Sequence, residues 1–135
     1  MRVLIDTNIV LDFLQERLPF FENAVRLFER IDSGEIEGFI AATTITNIYY
    51  IVRKTAGALV AQDAITQILT DLYICTVDRD VLEQAIALNF HDFEDAVQYV
   101  CGVVHNVDAI VTRDKSGFIS AEIPVILPEE LDTIQ

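Results

Sequence analysis

Three things are scarce in this chain, and each scarcity bears on function. Lysine and arginine number 9 against 22 aspartates and glutamates, leaving a net charge of −13. Non-specific grip on nucleic acid needs cations that neutralise phosphates, so the composition argues against that mode. It permits binding of divalent cations or of a basic partner, and it keeps an apolar chain soluble. Long apolar runs are also missing. Hydrophobic residues make up 52% of the chain, yet no run approaches the roughly 18 residues that span a bilayer. Asp6 interrupts the first apolar run, so the N-terminus lacks the core of a secretory signal. The expectation is a cytoplasmic protein with no membrane segment. Cysteine is limited to Cys75 and Cys101, both inside apolar runs and at a spacing that matches no zinc pattern. They read as reduced, buried thiols.

The 135 residues suit one domain over 1–135, long enough to bury a core. Repeats, low-complexity tracts and linkers do not appear. Strand-length apolar runs alternate with helical patterns. RVLID, GFIAAT, YICTV, DAIVTRD and IPVIL read as five strands. NIVLDFL reads as a short helix with Thr7 or Asn8 near its cap. FENAVRLFERIDSG shows helical spacing and a stop at Gly34. TNIYYIVRKT, Leu59 to Asp71, RDVLEQAIAL and DFEDAVQYVCGVVHN supply the other helices. Strands without clean alternation, separated by helices, predict a parallel sheet covered on both faces, hence an α/β fold.

In such sheets ligands gather beyond the carboxyl ends of the strands. Asp6 ends the first strand, and Asp114 stands in the same relation to the fourth. If those strands are neighbours, the two carboxylates face each other. Asp92 and Asp95, three apart in HDFEDA, share a helix face. Asp92 suits the cap position and Asp95 the third helical position. A first-turn carboxylate there can also point into the crevice.

LIDTN at 4–8, DFEDA at 92–96 and VTRDKSGF at 111–118 together resemble PIN-domain proteins, similar to the VapC-like ribonucleases of bacterial toxin–antitoxin modules. No one motif is specific. The three in this order and at these separations carry the resemblance over essentially the whole chain. It implies a three-layer α/β/α sandwich around a central parallel sheet of about five strands. It also implies an acidic pocket that binds Mg2+ or Mn2+ and hydrolyses RNA, with Asp6, Asp95 and Asp114 as catalytic and metal-binding residues. A small antitoxin partner follows from the toxin–antitoxin version. Asn8 matches the polar residue beside the first Asp, and Thr44 the hydroxyl residue that opens the helix after the second strand. The family usually has Glu three residues later, where this chain has Asn47.

The chemistry suits these residue types. Magnesium takes oxygen ligands in near-octahedral geometry, and several carboxylates with open positions meet that need. A bound ion can lower the pKa of a water and stabilise charge on phosphate oxygens. Empty, the carboxylates repel, and at least one pKa should rise. Asn47 keeps an acceptor but loses charge, and it could pair with Thr44 as in a capping box. Asp12, on the same helix face as Asn8, and Asp92 are the candidates to make up the missing charge. Arg113 and Lys115 flank Asp114 and read as a hold on RNA phosphate. Arg53 and Lys54 suit a helix C-terminus, and His91 and His105 read as capping or surface residues. Ile48, Tyr49, Tyr50, Ile51 and Val52 leave their helix almost no polar face, which predicts a homodimer through that helix and the next.

Two readings of other kinds compete. Asn47 and the net charge suit a PIN-like module that binds RNA or protein without turnover. A phosphatase of the haloacid-dehalogenase type would need a second Asp where Asn8 stands. A receiver domain would need an acidic pair after the first strand, and both therefore fail on missing roles.

Overall fold

The computed structural model describes residues 1–118 and 121–133. Five short strands carry the apolar runs into one sheet: β1 (Arg2–Ile5), β2 (Glu37–Ala41), β3 (Tyr73–Cys75), β4 (Ala109–Val111) and β5 (Val125–Ile126). All pairings are parallel, in the order β3-β2-β1-β4-β5. The lack of alternation has a direct cause. Val3, Leu4 and Ile5 are each fully buried, because successive side chains enter two different cores. Val3 and Ile5 join one core, and Leu4 joins the other.

The helices are α1 (Thr7–Leu14), α2 (Phe21–Asp32), α3 (Ala42–Ala56), α4 (Ala58–Asp71), α5 (Arg79–Ala87) and α6 (Phe93–Val104). The first four cover one face of the sheet, and α5 with α6 cover the other. The expected three-layer α/β/α sandwich is therefore the observed architecture. Gly57, at φ 91°, makes the joint between α3 and α4, a backbone shape that suits glycine. Cys75 and Cys101 are free and buried as expected. Hydrogen bonding to Cys101, then burial, pushes the Cys75 thiol well above the ordinary thiol range. Among the described residues, no helix is long and apolar enough to cross a membrane.

Three local expectations need correction. The fourth strand stops at Val111 rather than running to Asp114. Thr112 turns the chain there, because its hydroxyl accepts the Asp114 N–H at 3.1 Å, a local bond that competes with the ladder. Helix α3 begins at Ala42, with Ala41 as a cap that has no side-chain bond. Thr44 is then a buried helical residue, and its hydroxyl has no hydrogen-bond partner among the described residues. The capping box imagined between Thr44 and Asn47 does not form. Two 3-10 turns, Lys115–Phe118 and Pro128–Thr133, had no clear signature in the sequence.

Strand order fixes where a site can be. The chain steps outward from β1 to β2 and β3, then crosses to β4 and β5 on the other side. The switch lies between β1 and β4, where Ile5 is level with Val111. Asp6 and Thr112 therefore leave the sheet side by side, the place where α/β folds bind ligands.

One buried glycine tests the packing. A Cβ on Gly38 in β2 would lie 2.7 Å from Leu72 Cδ2 and 2.9 Å from Ile31 Cδ1. Gly38→Ala should destabilise the fold by roughly 1–3 kcal/mol through overpacking, measured by urea denaturation. A variant as stable as the parent would refute this packing.

Candidate active site

Asp6 ends β1 and caps α1 in a single step. Its backbone is extended, with φ −68° and ψ 151°, the usual conformation of a helix cap. Oδ1 accepts the Thr7 N–H at 2.8 Å. The cap was expected at Thr7 or Asn8; Asp6 takes it because it is the last extended residue. Two more donors close on the same carboxylate. Gln98 Nε2, from α6, reaches Oδ1 at 3.1 Å, and the Thr112 hydroxyl reaches Oδ2 at 2.8 Å. Asp6, Gln98 and Thr112 are all buried.

The second group comes from the start of α6. Asp92 is the cap, and its Oδ1 accepts the Asp95 N–H at 3.2 Å. Glu94 and Asp95 follow in the first turn. Glu94 accepts the Thr7 hydroxyl at 3.1 Å, tying α6 to α1. The third element is the turn after β4. Asp114 Oδ1 accepts the Ser116 N–H at 3.0 Å and its hydroxyl as well. Gly117 packs directly on Asp95, where a Cβ would collide with Oδ2.

These elements enclose one cavity of about 340 Å³. Asp6, Thr7, Asn8, Asp92, Glu94, Asp95 and Asp114 line it, with Leu11 and Ile51. Five carboxylates at one sheet edge alter one another. Burial first, then the charges of Asp6, Asp92, Glu94 and Asp114, push Asp95 up to about 7. Asp114 moves the other way, because the Ser116 hydroxyl and N–H hold it below the ordinary carboxylate range. Near pH 7 the pocket can therefore hold one carboxyl that is partly protonated beside another that is ionised. Such divergence between neighbours is typical of functional sites. The donors are hard oxygens of the kind Mg2+ and Mn2+ accept. Among the described residues, however, no three His, Cys, Asp or Glu side chains are gathered closely enough to hold one ion.

Several candidate residues lie elsewhere. Asp12, within α1, is buried and lines a different cavity of about 360 Å³. Arg113 points there too. Its guanidinium binds Asp12 through two bonds of 2.7 and 3.2 Å and lies over the Phe20 ring at 3.9 Å. A bidentate pair with a buried carboxylate outcompetes the open crevice for that cation. Lys115 Nζ meets Glu130 at 2.8 Å. Neither cation lines the acidic cavity, contrary to the expected hold on phosphate. Thr44 and Asn47 do not line it either; Asn47 is exposed, and Ile51, one turn later on α3, reaches the cavity instead. His91 is exposed, and His105 caps the end of α6 against Phe39.

Residue patterns alone missed Glu94, Gln98, Thr112 and Ser116. Glu94 was visible as the neighbour of Asp95, and Thr112 as the hydroxyl two residues before Asp114. Gln98 stands one helical turn after Asp95 in an otherwise apolar stretch, a signal that could have been read.

The model of the family described as PIN domain matches residues 2–116. The chain belongs to the PIN-domain family. Among curated relatives, Ribonuclease VapC1 of Aquifex aeolicus is 28% identical over 134 residues, covering 96% of this chain and 92% of that protein. Solved PIN-type structures share the fold. Mycobacterium tuberculosis VapC20, described as a Sarcin-Ricin loop cleaving toxin, superposes with a TM-score of 0.72 at 18% identity, covering 87% of this chain and 94% of that one. A toxin–antitoxin complex from Klebsiella pneumoniae gives 0.71 at 20% identity, covering 93% and 97%. In this PIN domain the three quoted acidic motifs converge on the cavity between β1 and β4.

Asp95 has a consequence for stability. Its pKa rises from 3.8 to about 7 on folding, so the protonated form favours the folded state. That contribution is complete below about pH 4 and is lost as pH rises through about 7. Metal-free protein should melt at a lower temperature at pH 8 than at pH 5, and Asp95→Asn should flatten the slope. Thermal melts in EDTA decide this: an equal slope in both proteins contradicts the placement of Asp95.

Proposed function

We propose that this PIN domain is a metal-dependent endoribonuclease, the toxin of a toxin–antitoxin pair. One observation carries the reading: five carboxylates line a single cavity at the strand-order switch. The relative named as a ribonuclease and the toxin–antitoxin structures of like fold support it. Asp6, Asp95 and Asp114 line the cavity without standing close enough to share one ion, so they would draw together around Mg2+ or Mn2+, with Asn8 and Asp92 lining the same cavity. A bound cation would lower the pKa of a water and stabilise charge on the phosphate oxygens. The protein's own part is positional. Thr7, Gln98 and Thr112 fix Asp6, Ser116 fixes Asp114, and Asp92 orders the turn that presents Asp95. Repulsion among the carboxylates favours loading of a cation over an empty pocket. A small antitoxin would cover the cavity and silence it, with cytoplasmic RNA as the substrate.

The rival reading is a PIN module that binds RNA or protein without turnover. It draws on the exposed Asn47 outside the cavity and on Arg113 and Lys115, both paired with carboxylates. Incubation of purified protein with several RNAs and Mn2+ separates the two. Cleavage abolished by EDTA, and reduced at least about 100-fold by Asp95→Asn, is the expected result for a residue of the reacting site. Binding without cleavage by the wild-type protein would favour the module.

We also propose a homodimer through α3 and α4. Ile48, Val52, Ala61 and Ile68 bury the inner sides of these helices, while Tyr50, Leu59 and Val60 remain 60%, 78% and 50% exposed. Exposed apolar side chains on two adjoining helices support that reading. Tyr50→Arg with Leu59→Arg should convert the dimer to a folded monomer in sedimentation velocity. A wild-type protein that sediments as a monomer would overturn the dimer.

A further inference from the structure

Gln98 is the one amide among seven consecutive buried residues of α6, Ala96 to Gly102. It is 1% exposed. Nε2 donates to Asp6 Oδ1 at 3.1 Å, while Oε1 has no hydrogen-bond partner among the described residues. An amide with one end unsatisfied is a poor choice for packing alone. An apolar residue of similar volume would fill the space and need no partner. Among the described residues the one bond its side chain makes is to Asp6, a carboxylate of the acidic cavity.

A carboxylate offers about four acceptor directions, two on each oxygen. Asp6 Oδ1 accepts two N–H groups, from Thr7 at 2.8 Å and from Gln98 at 3.1 Å. Oδ2 accepts one, from the Thr112 hydroxyl at 2.8 Å. Among the described residues the first oxygen is filled and the second keeps one direction open. We propose that Gln98 is a positioning residue for the active site. By occupying Oδ1 it fixes the plane of the Asp6 carboxylate and leaves Oδ2 as the one oxygen free to bind a cation. α6 then serves the site twice, with Asp95 in its first turn and Gln98 one turn later. Ligands held by outer partners in this way lose affinity when the partner is removed. The inference rests on the nuclease reading for what Oδ2 binds, though not for how Asp6 is held.

Gln98→Met and Gln98→Leu test it, since each keeps volume and removes the donor. Both should stay folded and melt somewhat below the wild-type temperature, because the buried Asp6 carboxylate loses one donor while an unsatisfied amide oxygen leaves the core. Mn2+ affinity measured by calorimetry should fall about 10–100-fold. The rate of RNA cleavage at saturation should fall with it, while KM for RNA stays constant. In crystals of the metal-free variants the Asp6 carboxylate should be rotated away from its wild-type plane. Wild-type Mn2+ affinity in a folded variant, or an unmoved Asp6 plane, would overturn the proposal. Loss of fold in both variants would assign Gln98 to packing and overturn it equally. If the wild-type protein binds no Mn2+, the nuclease reading falls, and the Asp6 plane alone decides the role of Gln98.

Discussion

Like charges crowded at one sheet edge are the constraint around which this molecule is arranged. Asp6, Asp92, Glu94, Asp95 and Asp114 share a cavity, and nothing in hydrophobic packing would place them together. The fold tolerates them because all but Asp95 are met by local donors. Thr7, Gln98 and Thr112 serve Asp6, Thr7 also serves Glu94, and Ser116 serves Asp114. Asp95 has the Gly117 backbone against its carboxylate and is the group on which the repulsion falls. Two apolar cores, one on each face of the sheet, supply the stability that this edge gives up.

The cations are arranged consistently with that constraint. An Arg or Lys inside the crevice would satisfy the carboxylates and compete with a metal ion. Arg113 is adjacent in sequence to Asp114, yet it reaches behind α1 to a buried Asp12 and stacks on Phe20. The pair anchors the turn after β4 without discharging the cavity. Because Asp12 is 1% exposed, losing Arg113 would leave a buried charge facing Arg17 at 4.0 Å in place of a bidentate partner, a costly way to break such a pair.

Layers, strand count and the three acidic motifs were legible in the sequence, because each rests on short-range signals: runs, caps and residues at strand ends. Asp6, Asp95 and Asp114 could be grouped because all three end or begin an element at the same sheet edge. What sequence could not reveal were side-chain directions. Arg113 looked like a phosphate ligand by position, but a partner 101 residues away decided its orientation. Asp12 looked close to the site by helical spacing, yet its carboxylate pairs with Arg113 and lines the other cavity. Thr44 and Asn47 depended on where α3 begins, and helix boundaries shift easily by a turn when no side chain caps them. Gln98 was hidden because an isolated amide in an apolar helix reads as an exception rather than a contact.

The switch in strand order also sets when the site comes into being. Asp6 leaves the ribosome well before its partner Thr112, which lies 106 positions later. A nascent chain that has emerged only through β3 contains one half of the sheet edge and none of Gln98, Asp95 or Asp114. Contacts of such long sequence separation form late, after local helices and the first three strands can pair. Whatever chemistry the crevice performs is therefore withheld until α6 and the turn after β4 are made. A product of premature termination before α6 cannot assemble it. For a protein read as a toxin, that delay confines activity to chains that extend past Asp114.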